Sequence, residues 1–292
     1  MRADHADDAF RATWRLLGRI AKAGAYALLV LWAVAAIAPV AAALLSSVKG
    51  NTELITQPLT WPDPILWDNY QRAWNGPPLG QPFYVFARNS LLATMVGLLV
   101  GLSTGTLAAY AVARRATPFF GLVNRYFVLL ITVPPVVAWI PLFSLADTLR
   151  MLSNPIALGV IYGALVAPVA AVLMRAYFSS FPLDLIEAAR ADGAGELYTF
   201  LRIVLPLSRG ALIAVGLVQG IFLWNELGLA ATLLLDPSSR TLPIGISLFQ
   251  GQAVVDRGAQ FASMVMMVVP AIMLYIVFSR QITTGLRVGG LK

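Results

Sequence analysis

The sequence has no cysteine, one histidine and few charged residues, since only 12% of its 292 residues are Asp, Glu, Lys or Arg. An ordinary soluble domain has about 25%. With 59% hydrophobic residues and a mean hydropathy of +0.76, the chain has too few polar groups to cover a soluble globule. These deficits exclude a soluble enzyme, a disordered chain, disulfides and thiolate metal sites. They indicate an integral membrane protein.

The single histidine, His5, lies in the polar N-terminal stretch, so we expect no metal site and no histidine-based catalytic triad within the membrane. A phosphate-binding loop of the form G-x-x-x-x-G-K-[ST] is also absent, because none of the lysines (Lys22, Lys49 and Lys292) follows a glycine. We therefore expect the chain to be no enzyme and to hold no cofactor itself. Energy for an active process must come from another subunit or from an ion gradient.

Six continuous apolar runs predict six transmembrane helices, because about 20 apolar residues cross a bilayer. The runs are Ala23–Val48, Asn89–Ala113, Tyr126–Ala146, Met151–Met174, about 210–231 and Gly258–Ser279. The first run is much longer than the apolar region of a signal peptide, which favours an uncleaved helix. Four prolines mark the positions where helices are expected to bend or break: Pro134, Pro135, Pro141 and Pro168.

The distribution of basic residues predicts the orientation of these helices. With the N-terminus in the cytoplasm, 15 of the 21 Lys and Arg residues fall on inner segments and six on outer segments. Both termini are therefore expected to be cytoplasmic. The chain divides into an N-terminal tail (1–22), a transmembrane region (23–280) with a long inner loop (177–209), and a C-terminal tail (281–292). The net charge of +7 follows from this orientation, so we expect no nucleic-acid partner.

Two outer loops are long enough to form surfaces. The loop from Ser46 to Phe86 contains six prolines, so it cannot form one long helix. Its aromatic residues fit an interfacial belt, which we favour, or a surface for a partner or a sugar. The second loop, Leu233–Arg257, contains a turn signal at Asp236-Pro237-Ser238-Ser239.

The inner loop predicts a helix–turn–helix. The first helix is expected over Leu183–Ala191, with Ser180 as its N-cap and Gly193 in the left-handed conformation after it. The second is expected over Glu196–Leu205, where Pro206 ends it. Such a unit either protrudes toward another protein or lies on the membrane surface as an amphipathic helix, and the pattern does not separate these two interpretations.

The same loop contains the pattern EAA-x3-G-x9-I-x-LP, which resembles the EAA signature of permease subunits in bacterial binding-protein-dependent ABC importers. All seven specified residues are present: Glu187, Ala188, Ala189, Gly193, Ile203, Leu205 and Pro206. Shorter stretches resemble the carbohydrate-uptake branch of these permeases, that of the maltose G-type subunit. They are Asn89-Ser90, Trp224-Asn225-Glu226, Thr241-Leu242-Pro243 and the tail from Gly285 to Lys292.

The resemblance implies an all-α, type I ABC importer fold in the bacterial cytoplasmic (inner) membrane. It implies half of a translocation pore for a sugar or sugar derivative, completed by a second permease subunit, usually in a heterodimer. Two ATP-binding cassette subunits would hold ATP and Mg, and an external solute-binding protein would deliver the substrate. The seven signature residues would couple the ATPases to the helices. The tail would also reach the ATPases, and the loop Leu233–Arg257 would probe the binding protein.

Two alternatives remain open from the residues. The same scaffold could import an amino acid, a peptide or an anion. A stand-alone secondary transporter or membrane enzyme would need an inverted repeat or intramembrane acids, neither of which is clear here.

The candidates for a substrate pathway are polar and aromatic residues within the spans: Gln219, Asn225, Trp224 and Trp139. Amides can bond a sugar hydroxyl and indoles can stack on a sugar ring, although both can equally pack against neighbouring helices. Glu226 is the sole ionisable residue of the fifth apolar stretch, and solvent or a partner loop is expected around it.

Overall fold

The computed structural model describes residues 2–78, 80–114, 117–251 and 255–289, with side chains at residues 18, 19 and 21–279 of those ranges. Four helical segments are long and apolar enough to cross a membrane: Ala21–Ser46, Phe83–Arg114, Pro155–Ser179 and Arg257–Ser279. The number rises to six if each of two sharply bent helix pairs counts as one span. The predicted all-α membrane fold is confirmed.

The helices are numbered in chain order within the described residues. They are α1 (Arg2–Ser46), α2 (Asn51–Thr56), α3 (Asp68–Asn75), α4 (Phe83–Arg114), α5 (Pro118–Thr132), α6 (Trp139–Thr148), α7 (Pro155–Ser179), α8 (Leu183–Ala191), α9 (Glu196–Leu207), α10 (Arg209–Trp224), α11 (Gly228–Leu233), α12 (Leu242–Ser247) and α13 (Arg257–Gly289). Short 3-10 turns lie at Pro135–Ala138 and Pro237–Ser239.

Both terminal segments are continuous with membrane helices. The expected tail 1–22 is the beginning of α1 from Arg2 onward, because its Ala- and Arg-rich sequence has no helix breaker. At the other end, α13 continues to Gly289. None of the most apolar stretch of α1 is buried against the rest of the chain. This stretch of α1 therefore presents its whole circumference to lipid or to another protein.

The centre of the bundle is the parallel contact between α4 and α7, where glycines replace bulky side chains. A Cβ atom at Gly101 would lie 2.9 Å from the carbonyl oxygen of Gly163 and 2.5 Å from Cβ of Val166. Gly97 and Gly105 meet α7 in the same way. Such small-residue spacing lets two helix backbones approach closely in a membrane. The spacing of Gly97, Gly101 and Gly105 was the available signal, and the sequence analysis missed it.

The predicted third span, Tyr126–Ala146, is divided at a proline pair. Helix α5 ends at Thr132, Val133 is extended, and the segment from Pro135 to Thr148 leaves at 95°. Proline lacks an N–H and disfavours the helical conformation of the residue before it, so Pro134 and Pro135 break the span as expected. Pro168 does not, because α7 continues through it. The expected break at Pro168 was wrong.

The predicted fifth span, about 210–231, was also wrong in its length. Helix α10 ends at Trp224, and α11 begins separately at Gly228. The glutamate between them, Glu226, bonds to the first N–H groups of α11 and thereby starts a new helix.

Candidate functional site

The first helix of the inner loop has the predicted bounds, Leu183–Ala191, but a different start. Pro182 occupies its N-cap position, and no side chain caps it. The Ser180 hydroxyl instead donates to the carbonyl of Tyr177 at 2.8 Å. Ser180 therefore ends α7, and its predicted role as N-cap of α8 was wrong. The reason is that Pro182, with its fixed φ, leads directly into the helix.

The turn after α8 is closed by Gly193, as predicted. Gly193 has φ +83°, in the left-handed region that glycine adopts without steric cost. Its N–H donates to the carbonyl of Arg190 at 3.0 Å, and the N–H of Ala194 donates to the carbonyl of Ala189 at 2.9 Å. These two bonds form a Schellman motif, which satisfies the last carbonyls of α8 and fixes the direction of α9.

The second helix is longer than predicted. Helix α9 includes a wide turn at Phe200–Val204, where the N–H of Leu205 donates to the carbonyl of Phe200, and it ends at Leu207. The prediction that Pro206 stops the helix was wrong, because the wide turn shifts the bonding register ahead of the proline. The chain then bends by 74° into α10.

The signature residues divide into exposed and buried positions. Glu187 and Ala188 are exposed on α8, whereas Ala189 is 6% exposed and packs inward beside Ile186. Ala189 and Gly193 also line a surface cavity of about 500 Å³ together with Ile203. The loop thus presents an exposed face of α8 and an adjoining surface cavity. Leu205 and Pro206 lie at the far end, next to α10.

Three aromatic rings join this loop to the bundle. The ring of Tyr110 on α4 lies 4.8 Å from that of Phe200 on α9 and 5.9 Å from that of Phe178 on α7, centroid to centroid. All three side chains are 9% exposed or less. The cluster therefore connects α9 to both helices of the α4–α7 pair. This cluster was not predicted from the sequence, because its members lie on three separate segments.

The structure places the four pathway candidates in different surroundings. The indole N–H of Trp224 donates to the carbonyl of Met267 at 3.1 Å, and the Asn225 amide donates to the carbonyl of Ile221 at 2.8 Å. The Trp139 ring packs against Gly228, where an added methyl group would overlap it. Gln219 is 9% exposed and lines a cavity between α5, α7 and α10.

Glu226 is half-buried, and its carboxylate accepts hydrogen bonds from groups of its own chain. Its Oε2 atom accepts a hydrogen bond of 2.6 Å from the hydroxyl of Tyr162, which is 1% exposed. Its two carboxylate oxygens also accept the N–H groups of Leu229 and Ala230 at 2.7 and 3.0 Å. The acid therefore fixes the start of α11 against α7.

An ion pair ties the two outer loops together. Nε of Arg72 on α3 donates to Oδ2 of Asp256 at 2.8 Å, and Asp256 also accepts the N–H of Ala259 at the start of α13. Burial raises the pKa of Asp256, but the hydrogen bonds from Arg72 and Ala259 and the charge of Arg72 outweigh it and hold that pKa below its usual range. The bond to Asp256 in turn raises the pKa of Arg72.

A buried lysine and asparagine complete this outer network. Lys49 is fully buried at the end of α1, and its Nζ donates to the carbonyl of Gln57 at 2.9 Å. Asn69 is also fully buried, and its amide donates to the carbonyls of Ser47 and Lys49 at 2.9 Å each. These bonds hold the end of α1 against α3.

The outer loops contain the elements that their sequences predicted. The long first loop contains two short helices, α2 and α3, and no single long one. In the second loop, the predicted turn is a 3-10 turn at Pro237–Ser239, capped by the Asp236 side chain. The tail from Gly285 to Lys292 is described only as helical backbone to Gly289, and its side chains and last residues lie outside the described part of the chain.

Comparison with known proteins gives related sequences along most of the chain. The chain is 32% identical over 268 residues to the diacetylchitobiose uptake system permease protein of Streptomyces coelicolor, covering 90% of this chain and 87% of the relative. It is 35% identical over 228 residues to the trehalose/maltose transport system permease protein of Thermococcus litoralis, covering 77% and 81%. A sulfoquinovosyl glycerol transport system permease protein of Agrobacterium fabrum is 31% identical, with coverage of 85% and 86%.

The fold is also known from a solved structure. A bacterial ABC transporter involved in the import of the acidic polysaccharide alginate has a chain that superposes with a TM-score of 0.74, covering 90% of this chain and 96% of that one at 22% identity. Residues 89–288 match the family described as "binding-protein-dependent transport system inner membrane component". The chain belongs to this family, as a multi-pass permease component of the cytoplasmic membrane with the type I importer fold.

Proposed function

We propose that the chain forms half of the translocation pore of an ATP-driven importer for a sugar or sugar derivative, which an external binding protein delivers. The observation that carries the proposal is the inner loop, where all seven signature residues lie on a helix–turn–helix packed directly onto the central α4–α7 pair. The sugar assignment is supported by relatives that are named as permeases for sugars or sugar derivatives and are at least 30% identical over most of the chain.

The proposed coupling of the ATPases to the membrane helices is inferred from which signature residues are exposed. In this proposal, the face of α8 with Glu187 and Ala188 docks in a groove of an ATPase subunit, where the small side chain of Ala188 allows close approach. Ala189 and Gly193 set the shape of that face, and Ile203, Leu205 and Pro206 connect it to α10. The same coupling unit is braced by the Tyr110 ring. Closure of the ATPase pair would then move α9 and, through the 74° bend, the membrane helix α10.

The partners follow from what the chain does not supply. Since its sequence has no phosphate-binding loop, two ATP-binding subunits would hold ATP and Mg, and this chain would have no enzymatic activity of its own. A second permease subunit would complete the pore, in a heterodimer. The unburied apolar surface of α1 supports such a partner within the membrane. Both termini and the inner loop would lie in the cytoplasm, as the basic residues favour.

Among the pathway candidates, Gln219 keeps the strongest support. Its amide makes no hydrogen bond to any residue that the structure describes, and it lines a cavity in the membrane region. Trp224 and Asn225 already have hydrogen-bond partners within the chain. For these two residues and for Trp139, whose ring packs on Gly228, we propose a role in shaping the pathway wall.

The test is transport by the complete complex. The chain is reconstituted in proteoliposomes with its partner permease, its ATPase subunits and its binding protein, and uptake of labelled maltose, trehalose and diacetylchitobiose is measured with and without internal ATP. We expect ATP-dependent uptake of at least one sugar. Uptake of an amino acid, a peptide or an anion in place of every sugar would contradict the sugar assignment. Uptake by this chain alone, driven by an ion gradient, would contradict the importer assignment.

A further inference from the structure

A cavity of about 330 Å³ lies where the broken third span meets α7 and α10. Its lining comes from the last turn of α5 and the proline pair after it, from the middle of α7 around Pro168, and from α10 around Gln219. Its volume lies within the range of small-molecule sites, about 300–1,000 Å³. The walls are apolar except for the amide of Gln219, which is therefore its distinctive side chain.

The prolines of this cavity change its chemistry, because each one deprives a carbonyl group of its helical partner. In a regular helix the carbonyl of residue i accepts the N–H of residue i+4. The carbonyls of Leu130 and Ile131 would pair with residues 134 and 135, and that of Ala164 with residue 168. All three partners are prolines, which have no N–H. All six of these residues line the cavity.

Gln219 lines the same cavity as the residues that carry these carbonyl groups. The residue is nine-tenths buried, and its side chain makes no hydrogen bond within the described part of the chain. Because its amide faces the cavity without a partner from the chain, a ligand group that bonds to it gains a hydrogen bond there. The cavity thus offers one amide, able to donate and to accept, together with up to three accepting carbonyls.

We propose that this cavity is a binding step for a polyhydroxylated solute on the translocation pathway, with Gln219 as the residue that contacts substrate hydroxyls. This inference rests on the proposed function and adds to it a defined subsite on this chain. Sugar hydroxyls would donate to the carbonyls of Leu130, Ile131 and Ala164, and the Gln219 amide would bond one further hydroxyl. The apolar walls suit the C–H faces of a sugar ring. With one polar side chain, the subsite holds its solute weakly, as a transport step requires.

The absence of cysteine makes a direct test possible, because an introduced cysteine is the sole thiol of the chain. The Gln219→Cys and Leu217→Cys variants are assembled into the complete complex, with cysteines removed from the other subunits, in lipid nanodiscs. Leu217 is the matched control, since it lines the opposite side of α10 in an apolar groove. The probe is a charged methanethiosulfonate reagent, applied in the resting state and with ATP and vanadate.

We expect the reagent to modify Gln219→Cys in at least one state and to leave Leu217→Cys unmodified. Saturating binding protein loaded with the imported sugar (maltose, trehalose or diacetylchitobiose) should slow the modification at least fivefold. No modification in either state, or equal modification of both variants, would overturn the proposal. If the complex imports a sugar, but that sugar does not slow the modification of Gln219→Cys, the proposal is also overturned.

Transport kinetics give a second readout. We expect Gln219→Leu to lower the maximal uptake rate about tenfold with little change in KM, because the binding protein sets the outer affinity, and Gln219→Asn to restore part of the rate. Uptake by Gln219→Leu at the wild-type rate would overturn the subsite. If the wild-type complex imports none of the sugars, the proposed function fails, and the labelling experiment still decides whether the cavity lies on an aqueous pathway.

Discussion

The hydroxyl of Tyr162 donates a hydrogen bond of 2.6 Å to Glu226, and this contact joins two residues that lie 64 positions apart. Tyr162 belongs to the middle of the α4–α7 pair, and Glu226 starts the short helix α11. Leu229 and Ala230, the residues whose N–H groups the acid accepts, are both fully packed, at 1% and 0% exposure. The contact therefore fixes the outer end of the fifth span to the rigid centre of the bundle.

Removal of this hydroxyl should destabilise the folded subunit. In Tyr162→Phe, the half-buried carboxylate loses one partner, and a hydrogen bond to a charged group contributes about 1.5–3 kcal/mol. We expect a lower Tm of the purified complex and reduced uptake. The control is Tyr126→Phe, which removes the hydroxyl of a residue that is 58% exposed. Equal Tm values for the two variants would contradict the assigned role of the contact.

Gly193 should tolerate substitution according to backbone conformation alone, because a Cβ atom there meets nothing within 4 Å. Its φ of +83° disfavours Ala by about 1–2 kcal/mol. The free-energy cost is smaller for Asn, and Pro cannot adopt this φ. We expect uptake per ATP hydrolysed to fall in the order Asn, Ala, Pro, while the subunit remains in the membrane. Gly195→Ala is the matched control, since Gly195 has equal space and φ −69°. Normal uptake and ATPase stimulation in Gly193→Pro would refute the coupling role.

The Arg72–Asp256 pair predicts a dependence of outer-loop stability on pH. Because the folded-state pKa of Asp256 lies below its unfolded value of about 3.9, the pair stabilises the loops above pH 4. This contribution is lost as the pH falls through the lower, folded-state pKa. Limited proteolysis of the outer loops between pH 7 and pH 3 measures it. We expect Asp256→Asn to be cleaved faster at pH 7 and to lose most of the acid-induced change. The exposed Asp63→Asn serves as control, and an identical pH profile for all three proteins would count against the pair.

The close contact of α4 and α7 predicts intolerance to bulk at Gly101. Valine there would overlap Val166 and the carbonyl of Gly163, neither of which can move without separating the helices. Overpacking costs typically 1–3 kcal/mol, and more where backbone must shift. We expect little folded Gly101→Val subunit in the membrane, measured by detergent-solubilised fluorescence size-exclusion. Gly121→Val should express normally, because nothing lies within 4 Å of Cβ at that position. Equal yields would contradict the packing argument.

Local chemistry determined what the sequence predicted well. The bounds of Leu183–Ala191 and the left-handed Gly193 depend on residues a few positions apart, and the break at Pro134 depends on the proline ring itself. The same local reasoning failed at Pro168, where packing of α7 against α4 keeps the helix continuous. The prediction at Pro206 also failed, since a wide turn accommodates this proline within the helix.

Contacts between distant segments were beyond the sequence. Arg72 and Asp256 lie 184 positions apart, and their meeting depends on how α3 packs against α13. Glu226 was identified as an unusual acid, but its partner Tyr162 was one of nine tyrosines with no local mark. The carbonyls freed by Pro134, Pro135 and Pro168 were implicit in the sequence. Their convergence on one cavity required the bend of 95° between α5 and α6.

The glycine-lined contact of α4 and α7 also has a mechanical meaning. Two helices whose backbones are in direct contact behave as one rigid unit. The chain turns by 95° at Val133 and by 74° at Ser208, so these are the positions where flanking segments can move relative to that unit. Spin labels placed on α4 and α7 would keep one separation throughout the transport cycle. Labels placed on either side of Val133 or Ser208 would change their separation. The α4–α7 distance is therefore an internal reference against which the movement of each flanking segment can be measured.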